Sequence, residues 1–179
     1  MAQKPWYYDN NYLDIIENAK EQFLNNSFQR RVNFNPGLII NPISIPIRFW
    51  IYEDAANNTR LPDDEELQIV MDELNLLYQS NGMNVRFYIH CNQIIDEADA
   101  LVVSPLEAFN RFSGNRDVNA INIHIVNDYE GAGGVYNSIG DFIVIEQDIY
   151  QNVNNVTTLA HEIGHFFSLE HTHRNSNRG

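Results

Sequence analysis

Cysteine is nearly absent from this chain of 179 residues: Cys91 stands alone, so no intrachain disulfide can form. Cys91 falls in an alternating apolar stretch, where a buried, inert thiol is expected. No apolar run approaches the roughly 18 residues that a membrane-spanning helix needs. Met1-Ala2-Gln3-Lys4-Pro5 carries no apolar segment of the kind a signal peptide requires. Positive charge is scarce, with 11 Lys and Arg against 24 Asp and Glu and a net charge of −13. That balance works against nucleic acid, whose phosphates would be repelled, and leaves room for basic substrates or calcium. Gly131-Ala132-Gly133-Gly134 lacks the Gly-Lys-Ser/Thr of a phosphate-binding loop and precedes a strand, so a phosphate role is rejected. No Ser/His/Asp or Cys/His arrangement suggests a side-chain nucleophile. Asparagine is so frequent that the sequons at Asn25, Asn57 and Asn155 are read as chance. There is no internal repeat, low-complexity linker or second domain, and the length suits one domain with a sizeable core.

What the chain does contain is concentrated in Thr158 to His173, where His161-Glu162-Ile163-Gly164-His165 is followed by His171 after a five-residue gap. On a helix, His161 and His165 are one turn apart and face the same way, a spacing at which two imidazoles hold one Zn²⁺. Glu162 is rotated by about 100° from His161. It would sit beside the metal, placed to take a proton from water. Continued as a helix, the chain would carry His171 roughly 9 Å along the axis and about 240° around it from His165. For His171 to be a third ligand, the helix must stop near Ser168 and fold back. Three histidines then leave a fourth position open, as a catalytic zinc site requires. His173 and Glu170 are the alternative third ligands. A bare H-E-x-x-H does arise by chance on polar helix faces. Here Ile163, Phe166, Phe167 and Leu169 set it in an apolar, helix-forming context.

The remaining pattern reads as a layered α/β domain. Residues 1–44 form an N-terminal extension with an amphipathic helix from Tyr12 to Leu24. Ile45 to Tyr52 alternates as a strand with one face in the core, Ile47, Phe49 and Ile51 opposing Arg48, Trp50 and Tyr52. Pro62-Asp63-Asp64-Glu65-Glu66 opens a helix, with proline near the first turn and carboxylates offsetting the helix dipole rather than binding calcium. Ile69, Leu74, Leu77 and Tyr78 carry the helix on, and Gly82 stops it. Val85 to Cys91 alternates again, Val85, Phe87, Ile89 and Cys91 against Arg86, Tyr88 and His90. Strand, helix, strand implies parallel pairing. The stretch 92–118 reads poorly, with a short helix between Ala98 and Phe112 starting near Pro105. Further strands follow at Ala120 to Val126, Val135 to Ser138 and Phe142 to Ile145. His90 and His124 are read as structural, and Asn154 or Asn155 as the N-cap of the histidine-bearing helix.

The motif H-E-x-x-H-x-x-G-x-x-H is the metzincin zinc signature. With Leu169 and His171-Thr172 added, the local text resembles the pappalysin-type metzincins, over about Ile45 to His173. That resemblance implies a secreted zinc endopeptidase with residues 45–179 as the catalytic domain. It implies a twisted, mixed five-stranded sheet, a backing helix and an active-site zinc helix, the metzincin N-terminal subdomain. It implies zinc on His161, His165 and His171, Glu162 as general base, and a protein or peptide substrate lying as an extended strand along Val135 to Ser138. Calcium has no specific motif. The sequence departs from the signature at two points. Ser168 stands where the motif has glycine, at a helix end where φ > 0 costs a serine roughly 1 kcal/mol. No methionine follows His171, the three being Met1, Met71 and Met83. The expectation is a catalytic domain cut short after its third ligand, without the methionine turn that floors the zinc. The alternative from a different class is a zinc-stabilised binding or adhesion domain with little or no catalysis.

Overall fold

The computed structural model describes residues 42–56, 60–130, 133–151 and 155–171. The amphipathic stretch Tyr12 to Leu24 and the sequons at Asn25 and Asn57 lie outside these residues. The described part is α/β: a mixed five-stranded sheet with helices. Strand β1 (Ile43–Glu53) pairs in parallel with β2 (Val85–Asp96) on one side and with β4 (Ile121–Val126) on the other. Strand β7 (Phe142–Glu146) continues the parallel set, and β6 (Gly134–Asn137) closes it as an antiparallel edge. The spatial order is β2-β1-β4-β7-β6.

One sheet face carries Ile45, Ile47, Phe49, Phe87, Ile121, Ile123, Ile143 and Ile145, all fully buried. Helices α1 (Asp64–Ser80) and α4 (Val156–Phe166) cover it with Leu67, Val70, Met71, Leu74, Leu159 and Ile163. At the start of α1, Asp63 accepts the Glu66 amide and Glu66 accepts the Asp63 amide. This capping box satisfies donors that the first turn leaves open. Pro62 therefore precedes the cap rather than standing in the first turn. Glu66 also pairs with Arg60, so two of the four acidic side chains are engaged in capping or pairing. Gly82, at φ 75, ends α1 in a Schellman turn, the amides of Gly82 and Met83 donating to the carbonyls of Gln79 and Tyr78.

The second face of the sheet is also covered, which the alternation of β1 did not predict. Trp50 and Tyr52 are buried there with Val126, Phe142 and Val144. The cover comes from the stretch that read poorly. It contains a 3-10 turn (Ala98–Ala100), β3 (Val102–Val103) and α2 (Pro105–Phe112). Pro105 does start α2, and the Glu107 carboxylate accepts both the amide and the hydroxyl of Ser104. A second, two-stranded parallel sheet joins β3 to β5 (Asp128–Tyr129). In the main sheet, β1, β4 and β7 are covered on both faces, as parallel strands generally are.

Cys91 corrects the sequence reading. The register between β1 and β2 slips between Ile47 and Arg48, so that Ile47 faces Ile89 while Arg48 faces Cys91. One extra residue, His90, is thereby inserted, as in a β-bulge. Cys91 moves to the face opposite Ile89 and is half-exposed on an edge strand, not buried in the core. His90 lies near Asp117, its Nε2 3.6 Å from Oδ2, and Arg48 reaches the same oxygen at 3.4 Å. This edge is partly closed by α1: Asn75 donates to the Phe87 carbonyl and accepts the Phe87 amide.

His124 is fully buried on the second face. Its ring stacks on Phe112 at 4.5 Å between centroids and meets the edge of Phe142 at 5.3 Å. Nδ1 contacts the Tyr52 hydroxyl at 3.0 Å, and Nε2 has no hydrogen-bond partner among the described residues. Burial, then the nearby Arg116 charge, pull its pKa down to about 3. It is structural, as its sequence context suggested.

Candidate metal centre

Helix α4 forms because Val156, Leu159, Ile163 and Phe166 recur at helical spacing and bury one stripe against α1 and β6. Tyr78 of α1 fixes it by donating its hydroxyl to the Ala160 carbonyl at 2.9 Å. Asn155 precedes the helix, but its side chain makes no cap; it donates to Asp148 Oδ2 at 2.7 Å instead. Asp148 opens the short helix α3 (Asp148–Gln151), so Asn155 ties two helices together rather than closing the first turn of α4. Asn154 lies outside the described residues.

The helix ends at Phe166, and the chain reverses immediately. Ser168 donates its amide to the His165 carbonyl at 2.8 Å, and Leu169 donates to the Gly164 carbonyl at 2.9 Å. This is the Schellman pattern that ends α1, with serine in glycine's place. Ser168 has φ 67, the left-handed conformation expected of the motif position it fills. We therefore expect Ser168→Gly to stabilise the domain by ~1 kcal/mol, raising Tm by about 2–4 °C. A calorimetric scan of the metal-free protein reads this directly, and a lower Tm would contradict it.

The reversal returns His171 to the helix. The Nε2 atoms of His161 and His171 are 2.9 Å apart, those of His165 and His161 3.0 Å, and those of His165 and His171 3.1 Å. Three nitrogens in so even a triangle are not a hydrogen-bond network, because a neutral imidazole has only one N–H to give. His165 shows where its own proton is. Nδ1 lies 2.7 Å from the Leu169 carbonyl, which can only accept, so Nδ1–H donates and, in the neutral ring, Nε2 presents a lone pair. A tetrahedral ion ~2.0–2.1 Å from each ligand needs nitrogens ~3.3 Å apart. The observed spacings are within a few tenths of that value, so the three residues fit zinc. Among the described residues this is the group of His, Cys, Asp and Glu side chains that could hold a metal ion. Glu170 is exposed and outside the group, and His173 lies beyond the described residues.

Glu162 follows His161 on α4 and is 7% exposed, unusual for a carboxylate. Its Oε2 accepts the Tyr136 amide of β6 at 2.7 Å, while Oε1 lies 4.0 Å from His161 Nε2. It is thus beside the triangle and not part of it. Burial first, and the Glu162 charge second, raise the pKa of the Tyr129 phenol. The structure brings together the four residues singled out by the sequence: His161, His165, His171 and Glu162. Two partners were not anticipated, the Leu169 carbonyl and the Tyr136 amide. The first was within reach, because a Schellman turn after Phe166 fixes where residue 169 must go. No protein-family model matches the sequence, and no curated protein matches it.

Proposed function

We propose that this domain is a zinc-dependent endopeptidase of metzincin type, with His161, His165 and His171 as the metal ligands. The observation that carries the proposal is the triangle of Nε2 atoms with one buried carboxylate oxygen turned toward it. Zinc, when bound, supplies a Lewis acid that polarises a carbonyl and makes water a nucleophile near neutral pH. Glu162 Oε1 accepts the proton that water loses, and Glu162 then returns it to the leaving amine. His165 is kept in the metal-binding tautomer by the Leu169 carbonyl. The peptide lies as an extended strand along β6, the last strand of the sheet, using its own backbone groups for recognition. By the same resemblance the protein acts outside the cell. No described helix is long and apolar enough to cross a membrane.

A second reading, a zinc-stabilised binding domain without useful catalysis, is favoured by one contact. The bond from Tyr136 to Glu162 gives the buried carboxylate a structural task, tying β6 to α4. Cleavage of unfolded casein by the zinc-loaded chain separates the two. The endopeptidase reading expects turnover that a chelator removes and added zinc restores. Stoichiometric zinc without turnover would favour the binding domain.

A further inference from the structure

We propose that the main-chain amide of Tyr136 is a positioning group for Glu162, holding one carboxylate oxygen so that the other stays turned toward the histidines. The inference rests on the hydrolase reading above and deepens it. A glutamate on a helix has several rotamers, and freezing one is entropically costly. Here the cost is offset by a bond of 2.7 Å from Tyr136 N–H to Oε2, a length typical of charge-assisted hydrogen bonds. Oε1 is left 4.0 Å from His161 Nε2, so the two oxygens have different roles.

The donor is itself fixed relative to the helix. Tyr136 sits opposite Ile143 in the antiparallel ladder. Its amide points away from β7, as alternate residues of an edge strand do. Its ring meets Phe166 of α4 edge-on at 5.7 Å, and its hydroxyl donates to Asp141 Oδ1 at 3.1 Å. Two residues earlier, Gly134 permits the close approach. A Cβ there would lie 2.5 Å from Ile145 Cδ1 and 3.2 Å from Thr158 Cγ2 of α4. Any larger residue at 134 would have to displace the Ile145 side chain and press on Thr158 of the helix, so edge strand and helix are closely packed here. The consequence for recognition is specific. A peptide lying along β6 meets a Tyr136 donor already engaged by Glu162.

The test removes the Tyr136 N–H and keeps every side chain; the ester also weakens the Val135 carbonyl as an acceptor, a change the matched ester at Tyr129 makes to the Asp128 carbonyl. Tyr136 is replaced by its α-hydroxy acid analogue, which turns the amide into an ester and keeps the side chain. The same exchange at Tyr129, whose amide donates to Glu146 Oε1 at 3.1 Å, is the matched control. In the zinc-loaded protein acting on one casein-derived peptide, the ester at 136 should lower kcat by about tenfold or more, with KM within about twofold. The ester at 129 should leave kcat unchanged. In the metal-free protein, Glu162→Ala should speed hydrogen exchange of the Tyr136 amide by about tenfold or more while the Val135 and Asn137 amides keep their rates. Equal kcat for native and ester-136 proteins overturns the positioning role, as does unchanged exchange at Tyr136. A protected Tyr136 amide in a native chain with no turnover overturns it as well, since the contact is then only a tie between strand and helix; that pattern also sinks the endopeptidase reading, whereas unchanged exchange beside normal turnover leaves that reading standing.

Discussion

Glu162→Gln should abolish peptide hydrolysis while leaving zinc in place. We expect kcat to fall by about 10²–10⁴-fold, the usual contribution of a positioned general base. The substitution is informative because of the contacts Glu162 makes. A carboxamide oxygen can still accept the Tyr136 amide, so the tie between β6 and α4 is kept. Metal ligation is untouched, because Glu162 is not one of the three nitrogens that converge. Only the capacity to take a proton is lost. Zinc content and casein cleavage measured on the same preparations decide the matter. Full cleavage by the variant would remove Glu162 from the chemistry and require another base.

The second large effect is on stability at acid pH, and it originates on the sheet face opposite the histidine-bearing helix. His124 is buried among Trp50, Tyr52, Phe112 and Phe142, with the Arg116 charge nearby. Its folded pKa of about 3 lies below the ordinary value of 6.5. Below pH 6.5 the unfolded chain takes up a proton at this site that the folded chain refuses. Stability contributed by neutral His124 is therefore complete above that pH and declines as the pH falls toward 3. The loss amounts to as much as ~5 kcal/mol over the whole interval. That is comparable with the total stability of many domains. His124→Phe fits the same aromatic surroundings and leaves the Tyr52 hydroxyl its bond from Asn115. Urea titrations at pH 7 and pH 4.5 should show a steep fall for the native protein and a much smaller fall for the variant. Parallel falls would mean that other groups govern the acid response.

The elements legible in the sequence are those set by side-chain period and cap chemistry. The alternation of Ile47, Phe49 and Ile51 places β1, and Gly82 stops α1 through the left-handed φ that glycine favours. His161, Glu162 and His165 are legible because one helical turn fixes their relative directions. His171 was legible only on condition that the helix stop, and Ser168 meets that condition at a backbone angle its residue type disfavours. The bulge at His90 was not legible. A period of two cannot show an inserted residue, so Cys91 was assigned to the wrong face. Burial of Trp50 and Tyr52 was missed for a different reason: it depends on α2 and β3, whose contacts are distant in sequence. Asn155 has the right residue type for a cap, but Asp148 competes for its side chain. The Tyr136 amide and the Leu169 carbonyl are backbone groups, and every residue but proline has both. Nothing in a residue's identity marks such a group as part of a site; only the fold does.

The central claim is that three histidines of this chain form one zinc centre, and His171 is the member brought there solely by the reversal at Ser168. Chelator competition on the native protein, His171→Ala and His173→Ala measures it most directly. The account predicts one tightly held zinc per native chain. It predicts affinity weakened by at least ~100-fold in His171→Ala, the upper end of what losing even an outer-shell partner costs, and little change in His173→Ala. Loss of affinity on changing His173 but not His171, or no stoichiometric zinc in the native protein, would contradict it.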